Sequence, residues 1–438
     1  MLDHIIDYLY DDHLSLLACA LAARPFLASS QSHLFHTFHL ARKGDQEYAH
    51  YKLFCQENPH LTCYIRSLSI VGTPETKIRY HPIDNPTGRF CACVLSDILS
   101  HFPRIENLTL DGIHLECMPS CETTVNPSLR PIKLKSLDLL HIYHYPVDGV
   151  PQFIRLLGLF SQLPMVHIAC LSLGCTIPLE ATVTKEVAKL PLHWEPRIEG
   201  LTIAWVNAED AEFLSHFLVI SGSSSTLRRL RIILPLWGDC ESFMAVIRAS
   251  KNLTHFYFDA AHKIGIDVST IAEEGPLTED VDVNPAWWRR FGLVSCVSIV
   301  TFVVSVILLE TSDLYTIEPN VLAFQYMLDQ ISEGPRNIKT LTIYVRLVAD
   351  TSYVDIISMG YDWDRLASLV RSTKTFPNLE IVNLILFAED NTFGDEAAEC
   401  LRVVYTALHT VGESNTQRKQ IFELSCQQGD YDAFTNSN

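Results

Sequence analysis

The stretch RIENLTL, Arg104–Leu110, decides the fold. Leu108 and Leu110 stand two apart, the spacing that puts side chains on one face of a β-strand. The same short apolar-alternating form recurs along the chain. It is seen in YIRSLSI from Tyr64, LKSLDLL from Leu134, VHIACLSL from Val166 and RIEGLTI from Arg197. It continues in TLRRLRIIL from Thr226, NLTHFYF from Asn252, NIKTLTIYV from Asn337 and NLEIVNLIL from Asn378. Taking Leu68, Leu108, Leu137, Leu171, Leu201, Leu230, Phe256, Leu341 and Val382 as central residues, the spacings are 40, 29, 34, 30, 29, 26, 85 and 41. Periods of this length leave room for a helix between strands, and the gap of 85 is wide enough for one or two further repeats.

Several stretches between the strands have helical patterning: Phe90–Phe102, Val150–Leu163, Ala208–Gly222 with a glycine cap, Glu318–Gly334 and Trp363–Phe376. Strand and helix in alternation predict an α/β solenoid with parallel strands over residues 61–430. The competing α/β arrangement, a doubly wound domain, is disfavoured because no glycine-rich phosphate loop follows any strand.

Two segments interrupt the pattern. Residues 261–285 are acidic and loop-like. Phe291–Leu309 has no charged side chain and follows Trp287, Trp288, Arg289 and Arg290, so its length and flanks match a membrane span. Val, Ile and Thr supply nearly half of it, which favours strand. A span would also separate the repeats at 337 and 378 from those before it, so a buried segment of the repeat array is the preferred reading and a membrane partner is not expected.

Ahead of the repeats, residues 1–40 read as three short amphipathic helices, joined to the array by a helical linker over 41–60. Leu2, Ile5, Ile6 and Leu9 form one helical stripe. Asp12 suits the N-cap of a second helix carrying Leu14, Leu17, Ala20 and Leu21. Pro25 suits the first turn of a third, carrying Phe26, Leu27, Leu34 and Phe35. Three helices this short cannot bury their stripes against one another alone, which leaves apolar surface for a partner.

The segment IIDYLYDDHLSLLACALAARPFLASSQSHLFHTFHL, Ile5–Leu40, resembles an F-box, the helical module that docks on a Skp-type adaptor. NPHLTCYIRSLSI, Asn58–Ile70, and FPRIENLTL, Phe102–Leu110, resemble fungal F-box proteins with degenerate leucine-rich repeats. The family's Leu-Pro pair ahead of the first helix has no counterpart, so either the F-box is shortened at its N-terminus or its start lies upstream, and Phe26 stands where the family often has tryptophan. The resemblance implies a substrate-recognition subunit of a cullin–RING ubiquitin ligase. Leu2, Ile5, Leu14, Leu17, Leu21, Phe26, Leu34 and Phe35 would meet the adaptor, with Arg24 at the edge. The adaptor would link the chain to a cullin, and the repeats would hold a target protein. A non-catalytic scaffold whose N-terminal helices serve only as a cap is the first alternative, and a repeat protein tethered to a membrane through Phe291–Leu309 is the second.

Composition fits this picture without dictating it. Apolar residues make up 48% of the chain and charged ones 19%, which describes a folded protein. The formal charge of −18, with no Lys/Arg run, argues against a nucleic-acid partner. Thirteen cysteines without repeated spacing, and Asp3 and Asp7 where a signal peptide would be basic, predict thiols in the reducing cytoplasm or nucleus. The close pairs Cys91/Cys93, Cys117/Cys121 and Cys170/Cys175 lack zinc-finger spacing. His141 and His144 sit in strand-like text, where a surface or cross-strand role is expected. Asn107 and Asn252 open glycosylation-like triplets at expected strand positions and are read as coincidence. No hydrolase elbow, P-loop, zinc-protease motif or dinucleotide fingerprint is present, so neither enzymatic activity nor a cofactor is expected.

Overall fold

A computed structural model describes residues 2–41, 45–72, 89–115, 132–143, 149–174, 179–190, 194, 196–233, 242–259, 293–309, 333–348, 353–354, 357, 363–388, 393–410 and 421–428. It divides into two compact units, Met1–Ser223 and Ser224–Asn438. Both are α/β with parallel strands.

The first unit opens with helices α1 (Leu2–Asp7), α2 (His13–Ala22) and α3 (Arg24–Leu34). Strand β1 (Thr37–Ala41), helices α4 (Asp45–Glu57) and α5 (Pro59–Thr62), and strand β2 (Ser67–Val71) follow. Next come β3 (Arg89–Phe90), α6 (Ala92–Ser100), β4 (Asn107–Leu115), β5 (Ile132–Lys133) and β6 (Ser136–Tyr143). The unit continues through α7 (Gly149–Leu157), β7 (Phe160–Gln162), β8 (Met165–Ser172), α8 (Leu179–Val187), β9 (Gly200–Ala204) and α9 (Ala208–Ile220). Its sheet runs β1-β2-β4-β6-β8-β9, with β3 on β4, while β5 and β7 pair separately. Register aligns Phe38, Leu68, Leu108, Leu137, Val166 and Leu201 in one row. The last five of these are buried. Helices close this face: Leu95 and Leu99 of α6, Phe153 and Ile154 of α7, and Phe213 and Phe217 of α9 are all buried. Phe153 meets Phe213 edge-on at 5.7 Å.

The second unit carries β10 (Arg229–Ile233), α10 (Met244–Ala249), β11 (His255–Asp259), β12 (Thr301–Leu309) and β13 (Thr340–Val348). Helix α11 (Trp363–Arg371), β14 (Ile381–Ala388), α12 (Phe393–Thr410) and β15 (Ile421–Gln428) complete it. The strands pair in chain order, aligning Leu230, Phe256, Phe302, Leu341, Val382 and Phe422.

One hydrogen-bond device recurs at the strand starts. The carbonyl of the residue before each strand accepts N–H groups from the residue before the next strand and from that strand's first residue. His36 thus accepts from Arg66 and Ser67, Arg66 from Glu106 and Asn107, and Glu106 from Lys135 and Ser136. Where Pro164 precedes β8 it has no N–H to give, and Met165 alone donates to Lys135. In the second unit Arg228, Thr254, Val300 and Lys339 accept in the same way. Asn252, Asn337 and Asn378, each three residues ahead of its strand, add a side-chain bond to the carbonyls of Ser225, Val297 and Arg336, at 2.8 Å for Asn337.

All nine expected strands are present. The gap of 85 holds one more, β12, whose Phe302 lies between Phe256 and Leu341 in register. Residues 301–309 are therefore sheet, preceded by a short 3-10 turn at Leu293–Ser295. No helix among the described residues is long and apolar enough to cross a membrane.

Several expectations need correction. The partner of Leu137 in β8 is Val166, not Leu171, so the spacings there are 29 and 35. The cause is a stacked bulge. Gly112, His141, Cys170 and Trp205, all at positive φ, occupy corresponding positions of adjacent strands and shift the alternation by one. The helix expected over Val150–Leu163 ends at Leu157, and Phe160–Gln162 pairs with β5 instead. Strand β1 begins at Thr37, inside the stretch read as wholly helical and ahead of the supposed linker, and Phe35 is the cap of α3 rather than part of it. The glycine cap of α9 is present, Gly222 taking φ +74 just past Ser221. The acidic stretch 261–285, Trp287–Arg290 and all but the end of Glu318–Gly334 lie outside the described residues.

Candidate functional site

The N-terminal helices are held by local chemistry that the residues specify. Asp12 caps α2: its carboxylate accepts from the Ser15 backbone at 3.0 Å and the Ser15 hydroxyl at 2.6 Å. Those bonds, the hydroxyl's first, hold the Asp12 carboxyl below the usual aspartate value. Pro25 lies in the first turn of α3. His33 of α3 meets Asp7 of α1 at 2.9 Å. Ile6 and Leu16 are buried and form the small core of this module.

Helix α2 has a second face. Leu14, Leu17 and Leu21 follow one another at i, i+3, i+7, a stripe about 10 Å long. They are 80%, 49% and 87% exposed. Tyr8 and Tyr10, just before α2, and Leu27 in α3 are exposed as well. Full burial of a leucine side chain stabilises by about 1.5–3 kcal/mol. The stripe therefore withholds roughly 3–6 kcal/mol that a partner could recover, before association costs.

Of the residues expected at a docking face, the structure thus brings Leu14, Leu17 and Leu21 together in solvent, with Arg24 exposed at the start of α3. Phe26, Leu34 and Phe35 are half-buried. The side chains of Leu2 and Ile5 lie outside the described residues. Tyr8 and Tyr10 were missed, and their position directly ahead of the Asp11-Asp12 break was the available signal.

No known family matches this chain, and no curated protein matches it either.

Elsewhere the chemistry is structural. Among the described residues no group of three or more His, Cys, Asp or Glu side chains could hold a metal ion. His141 faces Asp111 across two strands at 2.9 Å, the cross-strand role expected of it, while His144 lies outside the described residues. Asn107 joins three strands, donating to Ser67 at 3.1 Å and accepting from Ser136 at 2.9 Å. The nine described cysteines, Cys91, Cys93 and Cys170 among them, are thiols. Burial pushes Cys296 up to about 11 and Cys400 up to about 12, which keeps both protonated near neutrality. A cavity of about 10 Å³ beside Leu40, Cys55, Ile98 and Phe102 has room for at most one water.

Proposed function

We propose that the chain is the substrate-recognition subunit of a Skp–cullin–F-box ubiquitin ligase, with α2 as the element that docks on the adaptor. The observation that carries this reading is the exposed Leu14/Leu17/Leu21 stripe on a helix whose opposite side, at Leu16, is already buried. A helix serving only as a cap would turn its leucines inward, and this one turns three outward. The repeat of one hydrogen-bond device at successive strand starts supports reading the remaining chain as an irregular leucine-rich-repeat solenoid that holds a target protein. The chain would carry no active site of its own. It would raise the effective concentration of the target beside a ubiquitin-charged enzyme in the cytoplasm or nucleus.

The test is co-expression with a Skp-type adaptor, comparing the intact chain with a Leu14→Asp/Leu21→Asp variant. Both positions are solvated, so the variant folds normally by circular dichroism. A 1:1 complex that the variant loses supports the proposal. If the intact chain forms no complex, the helices are a cap and the chain is an interaction scaffold.

A further inference from the structure

The strands of the two units differ on the face turned away from the aligned apolar rows. In the second unit that face is polar, half-exposed at Arg231, Tyr257 and Val303 and buried beyond them. Asp259, Ser305, Thr342, Tyr344 and Arg346 are buried there. The Tyr257 hydroxyl lies 3.2 Å from Asp259 and 3.3 Å from Ser305, and the Arg231 guanidinium sits 4.5 Å over the Tyr257 ring. In the first unit the corresponding face is half-open. Ser69, Thr109, Asp138, His167 and Thr202 form one half-exposed row across adjacent strands.

The stacked bulge widens this face. At the bulge each strand turns two consecutive residues to the same side, which adds Asp111 and the neighbouring row of Gly112, His141, Cys170 and Trp205 to the face. Trp205 is 38% exposed although its φ of 56° is costly for a bulky residue. The charge of the face is one-sided. Strands β1, β2, β4, β6, β8 and β9 contain no Lys, Arg or Glu, and their only fixed charges are Asp111 and Asp138. Their partners are neutral or only weakly basic: His141 at 2.9 Å from Asp111, and the Thr109 hydroxyl at 3.2 Å and His167 at 4.0 Å from Asp138. Basic groups lie at the margin. Lys135 and Arg66 both engage Glu106 at the strand starts, the lysine first in holding that carboxyl below its usual value. Arg89 pairs with His114, past Asp111.

We propose that this face of the first unit, around Asp111, Asp138 and Trp205, receives a lysine- or arginine-bearing segment of the target protein. Small side chains at Ser67, Ser69, Thr109, Ser136 and Thr202 let an extended segment approach the sheet. The two carboxylates attract its cations, and the Trp205 ring offers a cation a π-face. The proposal names the partner class for the target-holding role proposed above and rests on that reading.

The experiment uses the full chain and a fluorescein-labelled peptide of alternating lysine and serine, with a glutamate–serine peptide as counterpart, read by fluorescence anisotropy. The lysine peptide binds and the glutamate peptide does not. Asp111→Asn/Asp138→Asn weakens binding about fivefold or more, the loss of two partly exposed charge contacts. The charge-matched variant Glu209→Gln/Asp364→Asn, on α9 and α11, leaves affinity within about twofold. Equal weakening by both variants, or no binding of the lysine peptide, overturns the proposal. Hydrogen exchange on the intact chain gives a readout independent of any variant: bound peptide protects Ser136–Tyr143 and Met165–Ser172, and protection confined to other segments also overturns it. Adaptor capture by the same preparation is scored separately. Peptide binding without adaptor capture rejects the ligase reading alone, whereas adaptor capture without peptide binding rejects the proposed face alone.

Discussion

Replacing Phe302 by alanine separates the sheet account of residues 301–309 from any account that places them in lipid. Phe302 is fully buried, stands in register between Phe256 and Leu341, and its ring centroid lies 5.6 Å from that of Phe256. Truncating a buried phenylalanine costs about 3–5 kcal/mol, a figure that includes the cavity left behind. The ring pair places this site in the upper part of that range. Val303, the next residue, points to the other side of β12 and is half-exposed, in register with Tyr257 and Thr342. Val303→Ala should cost about 1 kcal/mol or less. The assay is urea unfolding followed by far-ultraviolet circular dichroism, read as the midpoint of the transition that loses the second unit's sheet. The contrast between neighbours is decisive, because a segment surrounded by lipid would treat Phe302 and Val303 alike. Equal costs, or a Phe302→Ala cost under 1 kcal/mol, would refute the sheet account.

Three further outcomes follow from local geometry. Asn337→Ala removes the 2.8 Å side-chain bond to the Val297 carbonyl and the 3.4 Å bond accepted from Asn378, and should destabilise by about 0.5–1.5 kcal/mol, whereas Asn337→Asp, which can accept but not donate, should recover only the smaller part in the same urea assay. A Cβ at Gly72 would meet the Gly112 carbonyl oxygen at 1.9 Å, while one at Gly200 would meet the flexible end of Met165 at 2.4 Å. Gly72→Ala should therefore cost several times more than Gly200→Ala by thermal melting, at about 1–3 kcal/mol or above. Iodoacetamide at pH 8, followed by peptide mass spectrometry, should label the half-exposed Cys19 and Cys63 while sparing Cys296 and Cys400 until urea is added. Both raised values lie well above that pH, so the native thiols stay protonated, and prompt labelling of either would show that they are not buried as described.

The strands were legible because each of the nine places apolar residues two apart and one face of every one is buried. The six others were less so, and β3, β5 and β7, of two or three residues each, are too short to show a period. β1 follows directly on a helical stripe, and Phe38 and Leu40 were absorbed into that pattern. β12 shows no alternation, its apolar run broken only by Ser305, and its Val, Ile and Thr content is what marked it as strand. β15 is polar on alternate positions, but it follows no recognised repeat. The Leu171 misalignment has a conformational origin: Cys170 at φ 54° inserts a residue into the alternation, and nothing in its side chain announces that. At the N-terminus, spacing shows that Leu14, Leu17 and Leu21 share a face of α2. Whether that face or the one bearing Leu16 turns inward depends on how α1 and α3 pack, which period alone does not determine.

The most direct test of the central claim is hydrogen exchange of the full chain with and without a Skp-type adaptor, read over peptides from His13 to Ala22. The account predicts slowed exchange across α2 on adaptor addition, and none of that slowing in the Leu14→Asp/Leu21→Asp variant. Unchanged exchange over α2 in the intact chain, or protection that survives both substitutions, would contradict it.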